Sequence, residues 1–181
     1  MTEISYLQMV LTVSVAWIIA RGICWAKEKG ICWKRELQLL LVYICIVVVV
    51  RFTFCPFGKV DGKIQPLLFD REKIFPLWLN LKPFVYLFDY PTMKEALLNL
   101  IGNIAMFIPL GIIWPAVFKK LNTHGKVIAA GVGASLAIEI LQLPFYGRST
   151  DIDDLILNSL GFLMGYGIYL LVKKLRKGKS V

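Results

Sequence analysis

Histidine is nearly absent from this 181-residue chain, and cysteine is sparse: one His and four Cys. The spacing of Cys24, Cys32, Cys45 and Cys55 matches no metal-ligand set, and His124 stands alone in an expected loop. No nucleophile has a neighbouring histidine, so chemistry of the Ser–His or Cys–His kind lacks its base. Cys45 and Cys55 lie ten apart on one expected helix, about 15 Å along its axis, which is beyond disulfide reach. Cys24 and Cys32 flank a basic connection expected in the cytoplasm, where thiols stay reduced, so the cysteines are expected to be packing residues. The N-terminal stretch opens on Glu3 with no basic residue, unlike a signal peptide, and its apolar run exceeds a typical h-region, so it is expected to persist as a helix. Internal repeats and low-complexity tracts are missing as well.

Apolar residues are what the chain has in excess: 57% of it is hydrophobic, and the mean hydropathy is +0.67. They come in blocks of about 20, the length that crosses a bilayer. The expected fold is all-α, a single polytopic transmembrane bundle covering residues 1–181. Five spans are drawn: Ile4–Trp25, Leu37–Phe57, Ala96–Phe118, Lys126–Phe145 and Leu155–Val172. The formal charge of +9, from 21 Lys+Arg against 12 Asp+Glu, would suggest nucleic acid in a soluble protein. Here most of the excess flanks the spans, so it speaks for topology and anionic lipid, and nucleic acid is not an expected partner.

Three short connections are strongly basic: Lys27, Lys29, Lys34 and Arg35; then Lys119, Lys120 and Lys126; then Lys173, Lys174, Arg176, Lys177 and Lys179. The connection Gly147–Asp154 has one Arg against three Asp. The positive-inside rule therefore expects the N-terminus outside and the C-terminus in the cytoplasm. The long connection Gly58–Glu95, with six basic and five acidic residues, falls outside. Its aromatic stretch Phe75–Pro91, broken by Pro76, Pro83 and Pro91, is too short to span. It is read as an interfacial or re-entrant segment with Trp78 and Tyr86 at headgroup level, or as a loop that covers the bundle.

Polar residues inside the spans gather at one depth. Counted from Lys126, Glu139 lies about 20 Å up its helix, and Arg51 counted from Glu36 reaches about the same height. Asn103 lies about 12 Å below Glu95, and Asn158 about 6 Å below Asp154. They also share faces. Gly131, Ser135, Glu139 and Gln142 form one stripe, Asn99 and Asn103 are one turn apart, and Asp151, Asp154, Asn158, Gly161 and Gly165 align if the last helix starts before Asp151. Small residues four apart allow close helix approach. A carboxylate in lipid costs a few kcal/mol unless it meets a partner or water, so Glu139 is expected to face the bundle and pair with Arg51 or Arg148. Such a network either fixes helix register or lines a polar pocket open to the outer leaflet. Both readings stand on the sequence.

Four stretches together resemble the VanZ-like family: NLIGNIAMFIPLG (Asn99–Gly111), IEILQ (Ile138–Gln142), GRSTDIDDLILNSLGFLMG (Gly147–Gly165) and LNLKPF (Leu79–Phe84). The best-matching core is residues 79–172. The resemblance implies a small bacterial cytoplasmic-membrane protein, associated through the founding member with low-level resistance to teicoplanin, a lipid-tailed glycopeptide, without remodelling of the peptidoglycan precursor. Asn99, Asn103, Pro109, Glu139, Gln142, Asp151, Asp154, Asn158 and Gly161 carry over as motif positions. Arg148 carries over less directly, since some members lack a basic residue there, and Arg51 rests on its depth alone.

Two functional readings follow. In the first, an outer-leaflet pocket of Arg51, Asn99, Asn103, Glu139, Gln142, Arg148, Asp151, Asp154 and Asn158 binds a membrane lipid, a lipid-linked cell-wall intermediate or the lipophilic glycopeptide itself, with no cofactor. In the alternative, an intramembrane enzyme holds Mg²⁺ on Asp151 and Asp154 against a lipid phosphate, with Glu139 as base. The aspartates match neither the D-x-x-D-G-x-x-A-R pattern of CDP-alcohol phosphotransferases nor the DDxxD pattern of prenyl transferases. Transport by alternating access would require a homo-oligomer, since five helices without inverted repeats are few.

Overall fold

The computed structural model describes residues 1–28, 30–55, 59–60, 63–75, 79–85, 87–148 and 150–178. Five helices carry the chain back and forth: α1 (Tyr6–Glu28), α2 (Trp33–Phe54), α3 (Met93–Val117), α4 (His124–Gln142) and α5 (Ile152–Gly178). Each is long and apolar enough to cross a membrane, so the all-helical, five-span expectation holds. Their limits differ from the hydropathy blocks for local reasons. Thr92 and Thr123 cap α3 and α4, each hydroxyl accepting from the N–H three residues on, of Glu95 at 3.2 Å and of Lys126 at 3.3 Å. Those caps move both starts ahead of the apolar runs, and His124 becomes the first residue of α4 rather than part of a loop. α4 closes at Gln142, because Pro144 cannot continue it. α5 runs past Val172 to Gly178, since Lys and Arg are good helix formers and favour a helix C-terminus.

α3 and α5 run parallel and touch backbone to backbone. A Cβ on Gly161 or Gly165 would strike the carbonyl oxygen of Ile104 or Ile108, and one on Gly111 that of Phe162. Gly131 on α4 leaves room for the ring of Phe162. Around this contact Phe107 and Phe162 are fully buried with Val49, Met106, Leu110, Val127 and Tyr166. A second cluster, Leu39, Val42 and Val117, ties α2 to the far end of α3. α1 is the outermost helix, with none of its span buried. Polar contacts hold it to α2: the Ser14 and Tyr43 hydroxyls at 2.7 Å, and an ion pair between Arg21 and Glu36.

The two ends of the bundle differ. One carries Lys34, Arg35, Lys119, Lys120 and Lys126 and is called the basic end. The other, the loop end, carries the 55–92 connection and the turn between α4 and α5. Short strands lie there: β1 (Thr2–Ile4), β2 (Lys59–Val60), β3 (Lys63–Ile64), β4 (Leu67–Phe69), β5 (Leu79–Asn80) and β6 (Thr150–Asp151), with a 3-10 turn at Arg71–Ile74. β1 pairs antiparallel with β4, β2 with β3, and β5 lies parallel to β6. The hydropathy pattern announces none of them. Asp70 N–H donates to the Pro144 carbonyl and Tyr146 N–H to that of Leu68, both at 2.8 Å, so the long connection is strapped onto the α4–α5 turn. Leu81, Phe84, Val85 and Phe88 remain exposed at this end. Trp78 and Tyr86, the expected headgroup-level anchors, lie outside the described residues.

Candidate functional site

A cavity of about 460 Å³ sits at the loop end, where four helices approach the strapped loops. α2 contributes Phe52 and Thr53, α3 contributes Glu95, Leu98, Asn99 and Asn103, α4 contributes Gln142, and α5 contributes Asp154. The turn between α4 and α5 adds Gly147, Arg148 and Asp151, and Tyr90 closes the wall from the long connection. Gly147 has φ +72°, a left-handed conformation that glycine adopts without strain, immediately before Arg148.

Hydrogen bonds fix most of this wall. Asn103 Nδ2 donates to Asp154 Oδ1 and, at 3.5 Å, to Asn99 Oδ1. Gln142 Nε2 donates to the Thr53 carbonyl at 2.8 Å, tying α4 to the end of α2. Asp151 is held on both oxygens, by Asn80 Nδ2 at 3.0 Å and by the Asp153 N–H at 2.9 Å. Lys73 Nζ donates to the carbonyls of Phe145 and Arg148 at 3.1 and 3.0 Å, positioning the turn from outside.

Arg148 is the one cation on the described wall, against the carboxylates of Glu95, Asp151 and Asp154. Its Nη2 is buried with no hydrogen-bond partner. Burial pulls the guanidinium below its usual range, with Cys55 and Asp154 acting in the opposite direction. An arginine stays charged all the same. Burial, then Asp154, raises the Tyr90 phenol, which stays neutral as a donor facing the cavity.

Six of the sequence candidates, Asn99, Asn103, Gln142, Arg148, Asp151 and Asp154, meet on this wall. Glu139 and Asn158 do not line it. They are buried among the helices, each 1% exposed. The expected pairing of Glu139 with Arg51 or Arg148 does not form. Glu139 Oε2 accepts the Asp151 N–H at 3.0 Å, and Oε1 has no hydrogen-bond partner. The backbone of the α4–α5 turn takes the place of the basic side chain, because Thr150 and Asp151 fold back over the end of α4, with Thr150 Oγ1 donating to the Glu139 carbonyl at 2.8 Å. Arg51 is likewise off the wall. Its guanidinium lies 5.6 Å from the Tyr6 ring and donates to the Cys55 carbonyl at 3.4 Å, so it joins α1 to the end of α2.

Asp151 precedes α5 instead of starting it, and Asp153, which lies off the stripe of Asp154, Asn158 and Gly161, is 4% exposed. Asp153 Oδ1 accepts the N–H of Phe84 at 2.8 Å. The sequence reading passes over Thr53, Tyr90 and Glu95 as wall residues and Asn80 as a clamp. Only the quoted LNLKPF stretch, which contains Asn80, carries a signal for any of them. The described residues hold no group of three or more His, Cys, Asp and Glu suited to a metal ion. Both oxygens of Asp151 and one of Asp154 already accept N–H donors.

The VanZ/LLP1 family profile matches residues 40–173, which covers α3, α4, most of α2 and α5, and every described residue of the cavity wall. Protein VanZ of Enterococcus faecium is 34% identical over 96 residues, 53% of this chain and 55% of that protein. The alignment thus spans about half the length of the curated relative. No solved structure matches. With five apolar helices and a family match across most of its length, this multi-pass membrane chain belongs to the VanZ/LLP1 family.

Proposed function

We propose that the cavity at the loop end binds the polar headgroup of an outer-leaflet lipid, and that the ligand is a lipid-linked glycoconjugate of the cell wall. The observation that carries this reading is the composition of the wall: one arginine with a buried, unpartnered Nη2, three carboxylates and three carboxamides, gathered at the loop end of the bundle. A simple anionic headgroup suits Arg148 but not the carboxylates around it. A headgroup that joins a phosphate or diphosphate to many hydroxyls suits both, since carboxylates accept from sugar hydroxyls and carboxamides both accept and donate. The loop end faces outward in this reading, with the N-terminus outside and the C-terminus in the cytoplasm, as the Lys/Arg distribution supports. Occupation of such a lipid lowers the docking of teicoplanin-type antibiotics at the cell surface, which is how the chain acts in the resistance that the family resemblance implies.

The test is binding by purified protein in nanodiscs, with lipid-linked disaccharide-diphosphate as probe and native mass spectrometry as readout. Arg148→Gln is expected to lower binding by about tenfold or more, the scale of a lost charge-assisted contact. Equal binding by wild type and Arg148→Gln sinks the reading. For orientation, single cysteines at Asn122 and Lys177 in a cysteine-free background should resist a membrane-impermeant reagent on intact cells, while one at Gln65 reacts. The opposite pattern inverts the topology.

A further inference from the structure

A second polar cavity, of about 320 Å³, lies at the basic end, where three elements converge. Lys119 and Asn122 come from the turn between α3 and α4, His124 from the first position of α4, and Tyr166, Tyr169 and Lys173 from α5. None of its described lining residues is acidic. The loop-end cavity is the reverse, with three carboxylates around one guanidinium. The sequence accounts for the contrast, because residues 96–138 and 155–181 contain no Asp or Glu. Those stretches hold no carboxylate to answer the lysines, and Glu36 on α2 is paired with Arg21.

The wall is ordered by contacts among its own residues. The Tyr166 hydroxyl and His124 Nδ1 share a hydrogen bond of 2.8 Å, and Tyr166 is only 8% exposed. Its ring stacks on Tyr169 at 6.2 Å, and Lys173 Nζ stands 5.7 Å from the centre of the Tyr169 ring. Lys126 Nζ donates to Asn122 Oδ1 at 3.0 Å, so Nδ2 is the end of that carboxamide not used by this bond. Membrane topology asks only for a count of basic residues near the span ends. It does not require that they meet over a stacked pair of phenols.

We propose that this cavity binds a phosphate dianion, held between the ammonium groups of Lys119 and Lys173. Two lysines match the charge of a terminal phosphate, about −1.5 to −2 at neutral pH, whereas a phosphodiester carries a single charge and leaves one lysine unanswered. His124 Nε2, on a ring whose Nδ1 is engaged by Tyr166, and Asn122 Nδ2 supply polar contacts to the remaining oxygens. One chemistry has two sources here: the phosphomonoester headgroup of a lipid in the leaflet at the basic end, or free phosphate. The site stands independently of the headgroup reading at the loop end.

The test has two arms, both with purified protein in nanodiscs. In one, discs of phosphatidylcholine are titrated with inorganic phosphate and followed by calorimetry. In the other, discs carry phosphatidate and phosphatidylglycerol in equal amounts, and native mass spectrometry reads which lipid is retained. A lipid source is expected to show as retention of phosphatidate about tenfold or more over phosphatidylglycerol. A free source shows as binding of inorganic phosphate without a lipid preference. In whichever arm binding appears, Lys119→Gln and Lys173→Gln should each weaken it about tenfold, the scale of a lost charge-assisted contact. Lys120→Gln and Lys174→Gln remove the same charge one position away, off the cavity, and should leave binding unchanged. All four lysines are exposed, so the substitutions spare the fold. Absence of binding in both arms overturns the site. Equal weakening by all four variants overturns it too, by reducing it to bulk charge at the membrane face, and so does binding that Lys119→Gln and Lys173→Gln leave intact.

Discussion

Along α3, α4 and α5, the half towards the basic end and the half towards the loop end are assembled by different means. Below Asn103 and Asn158 the helices meet through glycine and ring: Gly161, Gly165 and Gly111 bring backbones together, and Gly131 admits Phe162. Above, they meet through carboxamides, carboxylates and loop backbone, and a cavity remains. At the boundary sit Ser135 Oγ, Glu139 Oε1 and both amide atoms of Asn158, all buried without a hydrogen-bond partner. A bundle selected for packing alone would carry apolar side chains there, since an unpaired buried polar group costs about 1–3 kcal/mol. Cohesion and polarity are thus segregated along the same helices, so they can be attacked separately.

The largest expected effect is on the cohesive half. Gly165→Leu drives a side chain into the backbone of Ile108, where no rotamer change relieves the clash. The loss should exceed the roughly 1–3 kcal/mol usual for overpacking and leave no monodisperse protein in detergent. Gly167→Ala is the matched control. Nothing lies within 4 Å of the added methyl, and replacing a helical glycine should raise thermal stability by up to about 1 kcal/mol. Normal folding of Gly165→Leu would mean that the backbone contact of α3 and α5 is not what holds the bundle.

Next in size is the strap. Asp153→Ala leaves the Phe84 N–H without its acceptor and frees β5 from the α4–α5 turn, at about 1–3 kcal/mol. Hydrogen exchange should rise across residues 79–85 while the cores of α3 and α5 stay protected. Uniform loosening of both halves would erase the distinction drawn between them.

These two predictions also mark what was legible in the sequence. Arg148 and Asp151, on the turn before α5, come from charge and motif position. The spans, the small-residue stripe of α5 and the wall residues Asn99, Asn103, Gln142 and Asp154 come from periodicity, because a helix fixes which residues share a face. Asp153, Asn80 and the strap do not, because their partners lie 69 and 71 positions away, and no period links a loop to a turn. Arg51 misleads for a related reason. Depth places it level with Glu139, but depth carries no rotation, and its side chain turns to Tyr6 on α1. Glu139 misleads because the count of basic side chains ignores the backbone N–H groups that a returning turn supplies.

At the boundary, Asn158→Leu replaces two unpartnered amide atoms by a side chain of similar size. Thermal stability should rise by about 1 kcal/mol, since the polar desolvation penalty disappears and apolar burial replaces it. A comparable loss would show that the Asn158 amide has a partner in the working protein and belongs to the polar half.

The smallest effect on stability is expected where the effect on function is largest. Glu139→Gln retains a carbonyl oxygen to accept the Asp151 N–H, and Asp154→Asn retains one to accept from Asn103 Nδ2, so each isostere keeps its observed bond and loses the charge. Both should stay within about 1 kcal/mol of wild type, the net worth of one hydrogen bond, while ligand retention and any resistance phenotype fall away. A silent control must touch neither the cavity nor the strap, which rules out the neighbouring Asp153, the acceptor of the Phe84 N–H. Asp89, exposed in the long connection, meets that condition, and Asp89→Asn should change neither readout. If Glu139→Gln and Asp154→Asn lose folded protein along with function, their carboxylates are part of what holds the helices together. The division between a cohesive half and a polar half would then give way to one continuous scaffold.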